Sequence, residues 1–194
     1  MERTREEAAL REAKKLLRRA TRAAAERLTA EERERAGAAM AKRISTLAVY
    51  ARARRILAFY GMAGEPDTRP ILEMILRDGK TLLLPACPDT KRMEARRADP
   101  ERLVPGRMNI PEPPTDAGTE EPDLVLLPCV AASRDGRRLG HGAGYYDRYL
   151  AGRRADRVIL CMERFLTEAL PAGELDIRGD LVVSEERTYG CGRS

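Results

Sequence analysis

The chain has a single histidine, His141. A conventional Ser-His-Asp or Cys-His pair must therefore use that residue or not exist, and a metal site built from several histidines is excluded. The four cysteines, Cys87, Cys129, Cys161 and Cys191, form no Cys-x-x-Cys pair. Cys129 and Cys161 stand in apolar, strand-like runs, which points to buried free thiols rather than disulfides or a zinc site. No apolar run approaches the roughly 18 residues a membrane span needs. The N-terminus is charged, helical in pattern and without an apolar signal core, so the expectation is a cytoplasmic protein with no membrane partner. Aromatic residues make up 4% and do not interleave with the basic ones, which weakens any stacking platform for single-stranded nucleic acid.

What is present is charge. Lysine and arginine exceed the acidic residues by enough to give a formal net charge of +5, which admits an anionic partner such as nucleic acid, or a nucleotide together with a polyglutamate-bearing cofactor. Much of that charge is arginine interleaved with glutamate, the pattern of a solvated helix face rather than a binding patch. At 194 residues the chain suits one domain over 1–194, with N-terminal helices over 5–48 and an α/β core over 54–186.

The periodicity predicts an amphipathic helix over 5–28 with Leu10, Ala13, Leu17, Ala20 and Ala24 on its inward stripe. Lys14 and Arg18 lie four apart and share a face beside that stripe. Thr29-Ala30-Glu31-Glu32 fits a capping box that opens a second helix to about Leu47, with Ala36, Met40, Ile44 and Leu47 inward. Ile56 to Tyr60 reads as a buried first strand, followed by a loop with Glu65, a helix capped by Asp67 or Thr68, and a second strand from Thr81 to Leu84 stopped by Pro85. Residues 86–122 are proline-rich and irregular, with one strand near Met93. Asp123–Pro128, Arg157–Cys161 and Leu181–Val183 supply further strands, the last closing the sheet. This rhythm predicts an α/β fold, a three-layer sandwich with a largely parallel central sheet flanked by helices. Ligands gather beyond the C-terminal strand ends of such sheets, where Glu65 is expected.

One stretch stands out. Arg137-Arg138-Leu139-Gly140-His141-Gly142-Ala143-Gly144-Tyr145-Tyr146-Asp147-Arg148 places three glycines within five positions and then opens a short helix over Tyr145–Leu150. Glycine leaves amides unshielded and permits φ > 0, and a helix start presents free N–H groups, so the segment reads as a phosphate cradle made of backbone. Arg137, Arg138 and Arg148 would add full charges. Asp147, in the first helical turn, could hold Mg²⁺ beside the phosphates. Neither a P-loop nor the full dinucleotide fingerprint is present.

Arg138-Leu-Gly-x-Gly-x-Gly-Tyr-Tyr-Asp147 also resembles the signature of the 5-formyltetrahydrofolate cyclo-ligase (methenyltetrahydrofolate synthetase) family. The likeness runs in order from Lys14 to about Glu185. It implies that Lys14 and Arg18 contact ATP with Arg138, Leu139, Gly140, His141, Gly142, Ala143, Gly144, Tyr145 and Tyr146. It implies further that Glu65 and Tyr60 bind the reduced folate, and that Asp147 and Asp176, the latter in a Pro-x-x-x-x-Asp segment from Pro171, hold Mg²⁺. Met93 and Asn109-Ile110-Pro111-Glu112-Pro113 resemble family segments whose physical role the sequence does not supply. The chain departs from the family at Ala132-Ser133, Ala143, Phe165 and Leu175.

The activity so implied is ATP- and Mg²⁺-dependent closure of 5-formyltetrahydrofolate, with or without a polyglutamate tail, to 5,10-methenyltetrahydrofolate. The formyl oxygen attacks the γ-phosphoryl group, the neighbouring nitrogen closes the ring, and phosphate departs with no side-chain nucleophile. The rival readings are a nucleotide-binding relative without folate turnover, motivated by the departures, and a basic nucleic-acid-binding module. The chain would work as a monomer or homodimer.

Overall fold

In a computed structural model of the chain, residues 2–106 and 109–192 are described. The elements follow as α1 (Glu2–Ala25), α2 (Ala30–Ser45), α3 (Ala48–Arg52), β1 (Arg55–Leu57), α4 (Arg69–Arg77), β2 (Thr81–Ala86), β3 (Glu94–Arg97), β4 (Val104–Pro105), β5 (Pro111–Glu112), β6 (Leu124–Leu127), β7 (Ala131–Ser133), β8 (Arg138–Leu139), α5 (Tyr145–Leu150), β9 (Asp156–Leu160), β10 (Leu166–Thr167), β11 (Leu181–Val183) and β12 (Thr188–Gly190). The central sheet has seven strands in the order β12-β11-β9-β6-β1-β2-β3. Its inner pairings are parallel, and β3 and β12 are antiparallel edges. The expected α/β architecture with a largely parallel sheet is the one observed.

The inner strands of the central sheet are short, mainly apolar runs; in β6, Leu124, Val125, Leu126 and Leu127 are each 0% exposed. From β1 the chain steps one way to β2 and later the other way, through β6, to β9 and β11. The reversal falls between β1 and β6, so a crevice opens beyond the C-terminal ends of those two strands.

Several boundaries differ from the sequence pattern for identifiable reasons. Strand β2 continues through Pro85 to Ala86, because its ladder with β1 ends at Leu83 and Pro85 faces only the antiparallel β3. Strand β11 does not close the sheet; β12 adds an edge beyond it. Residues 129–139 form the hairpin β7–β8, joined by β10, rather than a plain lead into the glycine stretch. The capping box of α2 is present, and Ala36, Met40 and Ile44 are buried as expected. Leu47 lies beyond α2 as the N-cap of α3. Of the two expected caps for α4, Thr68 is the N-cap residue but makes no side-chain cap bond, whereas Asp67 Oδ1 accepts the first amide of the helix, that of Arg69, at 3.0 Å. The Thr68 hydroxyl instead donates to the Phe59 carbonyl at 2.6 Å and accepts from the Gly61 amide at 2.9 Å, fastening the loop after β1.

The largest correction concerns α1. Ala13, Ala20 and Ala24 are exposed, while Lys14, Leu17, Arg18 and Thr21 turn inward. The helix meets the main core only at its end, through Ala25; along its middle it lies against the polar glycine stretch, so polar side chains occupy most of its covered face. Leu17 alone from its middle packs on a small cluster of Ala131, Leu139 and Leu170.

Helix α2 approaches the loop before α4 closely at Gly37, where a Cβ would meet the Asp67 carbonyl oxygen at 1.7 Å. In an unhindered helix interior, glycine to alanine would gain up to about 1 kcal/mol. Here Gly37→Ala is expected to destabilise the fold by about 1–3 kcal/mol through overpacking. Urea denaturation reads this directly, and an equal or raised midpoint would contradict the close approach.

Candidate active site

The crevice at the sheet's reversal is a cavity of about 800 Å³. Its walls include Lys14 and Arg18 of α1, Tyr60 and Glu65 after β1, residues 138–147 and Asp176. The residues that the family resemblance assigned to nucleotide, folate and metal therefore all line one cavity, although these segments are far apart in the chain.

The glycine stretch, residues 140–144, is held by its carbonyls. Arg18 Nε donates to the Gly140 carbonyl at 2.8 Å and Arg22 Nη2 to the His141 carbonyl at 3.1 Å. Gly142 (φ +110°) and Gly144 (φ +67°) adopt backbone conformations that a side chain would strain. Among the described residues no acceptor is found for the amides of residues 140–144. The first two carbonyls, of Gly140 and His141, are thus occupied from α1 while consecutive N–H groups remain available, which is the chemistry of an anion cradle. Burial, and then the neighbouring Arg22, lower the pKa of Arg18 from its ordinary value, partly opposed by Asp176. An anion in the cradle would relieve that crowding of positive charge.

The arginines divide differently from expectation. Arg138 is on the wall with only 4% of its side chain exposed, and its Nη2 donates to Asp147 Oδ1 at 2.7 Å. Arg137 instead pairs with Asp135 at 3.1 Å, and Arg148 donates to the Lys91 carbonyl at 2.9 Å. Those two side chains serve the scaffold because their own neighbours supply acceptors.

Two carboxylates meet at the cradle. Asp147 Oδ1 also accepts the Ile177 amide at 3.1 Å, and Asp176 Oδ2 accepts Lys14 Nζ at 2.5 Å and the Gly173 amide at 2.6 Å. All four bonds fall on one oxygen of each group; among the described residues the other oxygens carry none. Two hard oxygen donors beside a phosphate site fit Mg²⁺, which takes one or two carboxylates and completes its shell from phosphate and water. Among the described residues no group of three or more acidic, histidine or cysteine side chains is assembled, so a cage made of protein alone is not available.

At the cavity's other side Glu65 is 3% exposed. Its Oε2 accepts the Met62 amide at 2.8 Å, and its Oε1 lies 2.8 Å from His141 Nε2. Arg33 of α2 holds this loop by its carbonyls, donating to Glu65 at 2.7 Å and Met62 at 3.0 Å. The Tyr146 hydroxyl and Arg138 Nε are buried at the wall without a partner among the described residues. Burial, reinforced by the Glu65 charge, pushes the Tyr146 phenol well up, so it stays a neutral donor.

Sequence reasoning missed Arg22, Arg33 and the His141–Glu65 contact. Arg22 continues the four-residue spacing of Lys14 and Arg18, a signal that was available; Arg33 is one of three arginines on α2 and carried none. Met93, Ile110, Pro111 and Glu112, left without a role, are cavity wall. Phe165 is buried in the main core rather than at the cavity, and Leu175 is exposed; of the departures, Ala143 lines the site. Some exposed arginines pair with neighbouring acids, as in Arg35–Glu31 and Arg153–Glu121.

Known proteins agree with this geometry. The chain is 31% identical over 172 residues to 5-formyltetrahydrofolate cyclo-ligase of Escherichia coli, covering 84% of this chain and 94% of that one. It is 27% identical over 180 residues to the mouse protein of that name, covering 82% and 87%. The solved structure of Aquifex aeolicus 5,10-methenyltetrahydrofolate synthetase superimposes with a TM-score of 0.83 at 28% identity, covering 93% of this chain and 95% of that one. A model of the 5-formyltetrahydrofolate cyclo-ligase family matches residues 10–185, and the chain belongs to that family.

Proposed function

We infer that this cavity is where an ATP- and Mg²⁺-dependent enzyme closes 5-formyltetrahydrofolate to 5,10-methenyltetrahydrofolate, releasing ADP and phosphate. The observation that carries the reading is the joining, in one cavity, of an unpartnered backbone cradle and a buried carboxylate. Amides of residues 140–144 suit phosphate, and Glu65 suits the N–H-rich edge of a reduced pterin.

The residues then divide the work. Lys14, Arg18 and Arg138 with the loop amides hold and neutralise the triphosphate. Asp147 and Asp176 would hold Mg²⁺, which when bound offsets charge on the transferring phosphoryl group. Glu65 and Tyr60 orient the pterin so that its formyl oxygen faces the terminal phosphate. The protein's task is positioning and charge, which suits a chain with one histidine and no activated nucleophile. Proximity of the two substrates in one enclosed crevice also keeps water from the activated formyl group. The whole chain would act as one domain, with α1 as its nucleotide-side wall.

Absorbance of the methenyl product, followed with and without ATP and Mg²⁺, tests the activity. Asp147→Ala is expected to cost at least about a hundredfold in kcat, the scale of losing a group that stabilises developing charge; a rate within tenfold of wild type would remove Asp147 from the metal site. Lys14→Ala should raise the KM for ATP with little change for the folate. Glu65→Ala should do the opposite, weakening the folate while sparing nucleotide affinity; unchanged folate affinity would dispose of its pterin role.

A further inference from the structure

The side chain of His141 does not share the task of its backbone. The main chain of residue 141 belongs to the phosphate cradle, with its carbonyl fixed by Arg22 at 3.1 Å. The imidazole crosses to Glu65, a residue 76 positions earlier, with Nε2 at 2.8 Å from Oε1. The contact is protected: the glutamate side chain is 3% exposed and the histidine 29%.

We propose that His141 is the positioning residue for Glu65, fixing the carboxylate plane that receives the folate. This deepens the functional reading above and rests on the folate role given there to Glu65. A buried carboxylate is costly unless donors satisfy it. Glu65 has two protein donors, the Met62 amide on Oε2 and the imidazole on Oε1. A carboxylate offers about four lone-pair sites in its plane, so two further sites, one per oxygen, remain for a ligand. A pterin edge presents a ring N–H beside an amino group, a pair that needs two coplanar acceptors. With one donor on each oxygen, the protein sets the orientation of that plane. Without the imidazole, Oε1 loses its donor and the plane is fixed from one side only.

The same residue therefore touches both halves of the reaction. Its backbone faces the nucleotide and its ring faces the acceptor of the folate, so ordering the loop around phosphate also sets the folate carboxylate. The geometry makes His141 a specificity element for the folate, although its place in the sequence is a phosphate loop.

Equilibrium titration of 5-formyltetrahydrofolate and, separately, of ATP into the full-length protein tests the role without requiring turnover. His141→Leu is expected to weaken folate binding about tenfold, the scale of stranding a buried charged acceptor, while ATP binding stays within about twofold. His141→Gln, which keeps an N–H donor of similar reach, should recover most of the folate affinity. His141→Asn, too short to reach Glu65, should not, and it carries the comparison if a melting curve shows that His141→Leu does not fold. Unchanged folate affinity in the leucine or asparagine variant overturns the proposal, as does an equal loss for both ligands or a glutamine variant no better than asparagine. A wild-type protein that binds folate but forms no methenyl product would instead refute the proposed activity and leave this readout intact.

Discussion

The site depends on how the carbonyl groups of two loops are disposed of. A backbone can present consecutive amides to an anion only if its carbonyls are satisfied elsewhere. Here Arg18 and Arg22 of α1 take the carbonyls of Gly140 and His141. Arg33 of α2 does the same for the loop carrying Glu65. Guanidinium groups suit this work because several N–H donors in a fixed plane bridge successive acceptors. The N-terminal helices are therefore parts of the site as much as of the fold.

This explains why α1 inverts the usual logic of an amphipathic helix. Its covered face carries Lys14, Leu17, Arg18 and Thr21, while Ala13, Ala20 and Ala24 face water. A helix docked on a core would gain from burying apolar area. One docked on a loop with exposed carbonyls gains hydrogen bonds to charged donors instead. The cavity wall that results is cationic where phosphate would lie, and Lys14 is in contact with Asp176.

Sheet topology supplies the second constraint. The strand order reverses between β1 and β6, so the loops following those strands diverge and leave a crevice. Glu65 follows β1, and the hairpin β7–β8 after β6 delivers the glycine loop from the other side. The His141–Glu65 bond spans the gap between them. The two sides of the cavity are thereby built on connections from one sheet, which would hold two bound molecules in the fixed relative positions that transfer between them requires.

Much of this was legible in the residues themselves. Buried apolar runs marked the inner strands, Thr29 and Glu32 marked the start of α2, and three glycines before Tyr145 marked a loop with positive φ and the short helix after it. Those features are local: each is settled by periodicity, capping chemistry or the steric freedom of glycine within a few positions. The tertiary structure decided what depends on distant partners. It gave Arg137 and Arg148 partners in Asp135 and the Lys91 carbonyl, carried β2 through Pro85, rotated α1 to put Lys14 and Arg18 inward, and set the ring of His141 against Glu65. A side chain's partner is chosen by whatever the fold brings within hydrogen-bonding range, and sequence spacing does not encode that distance.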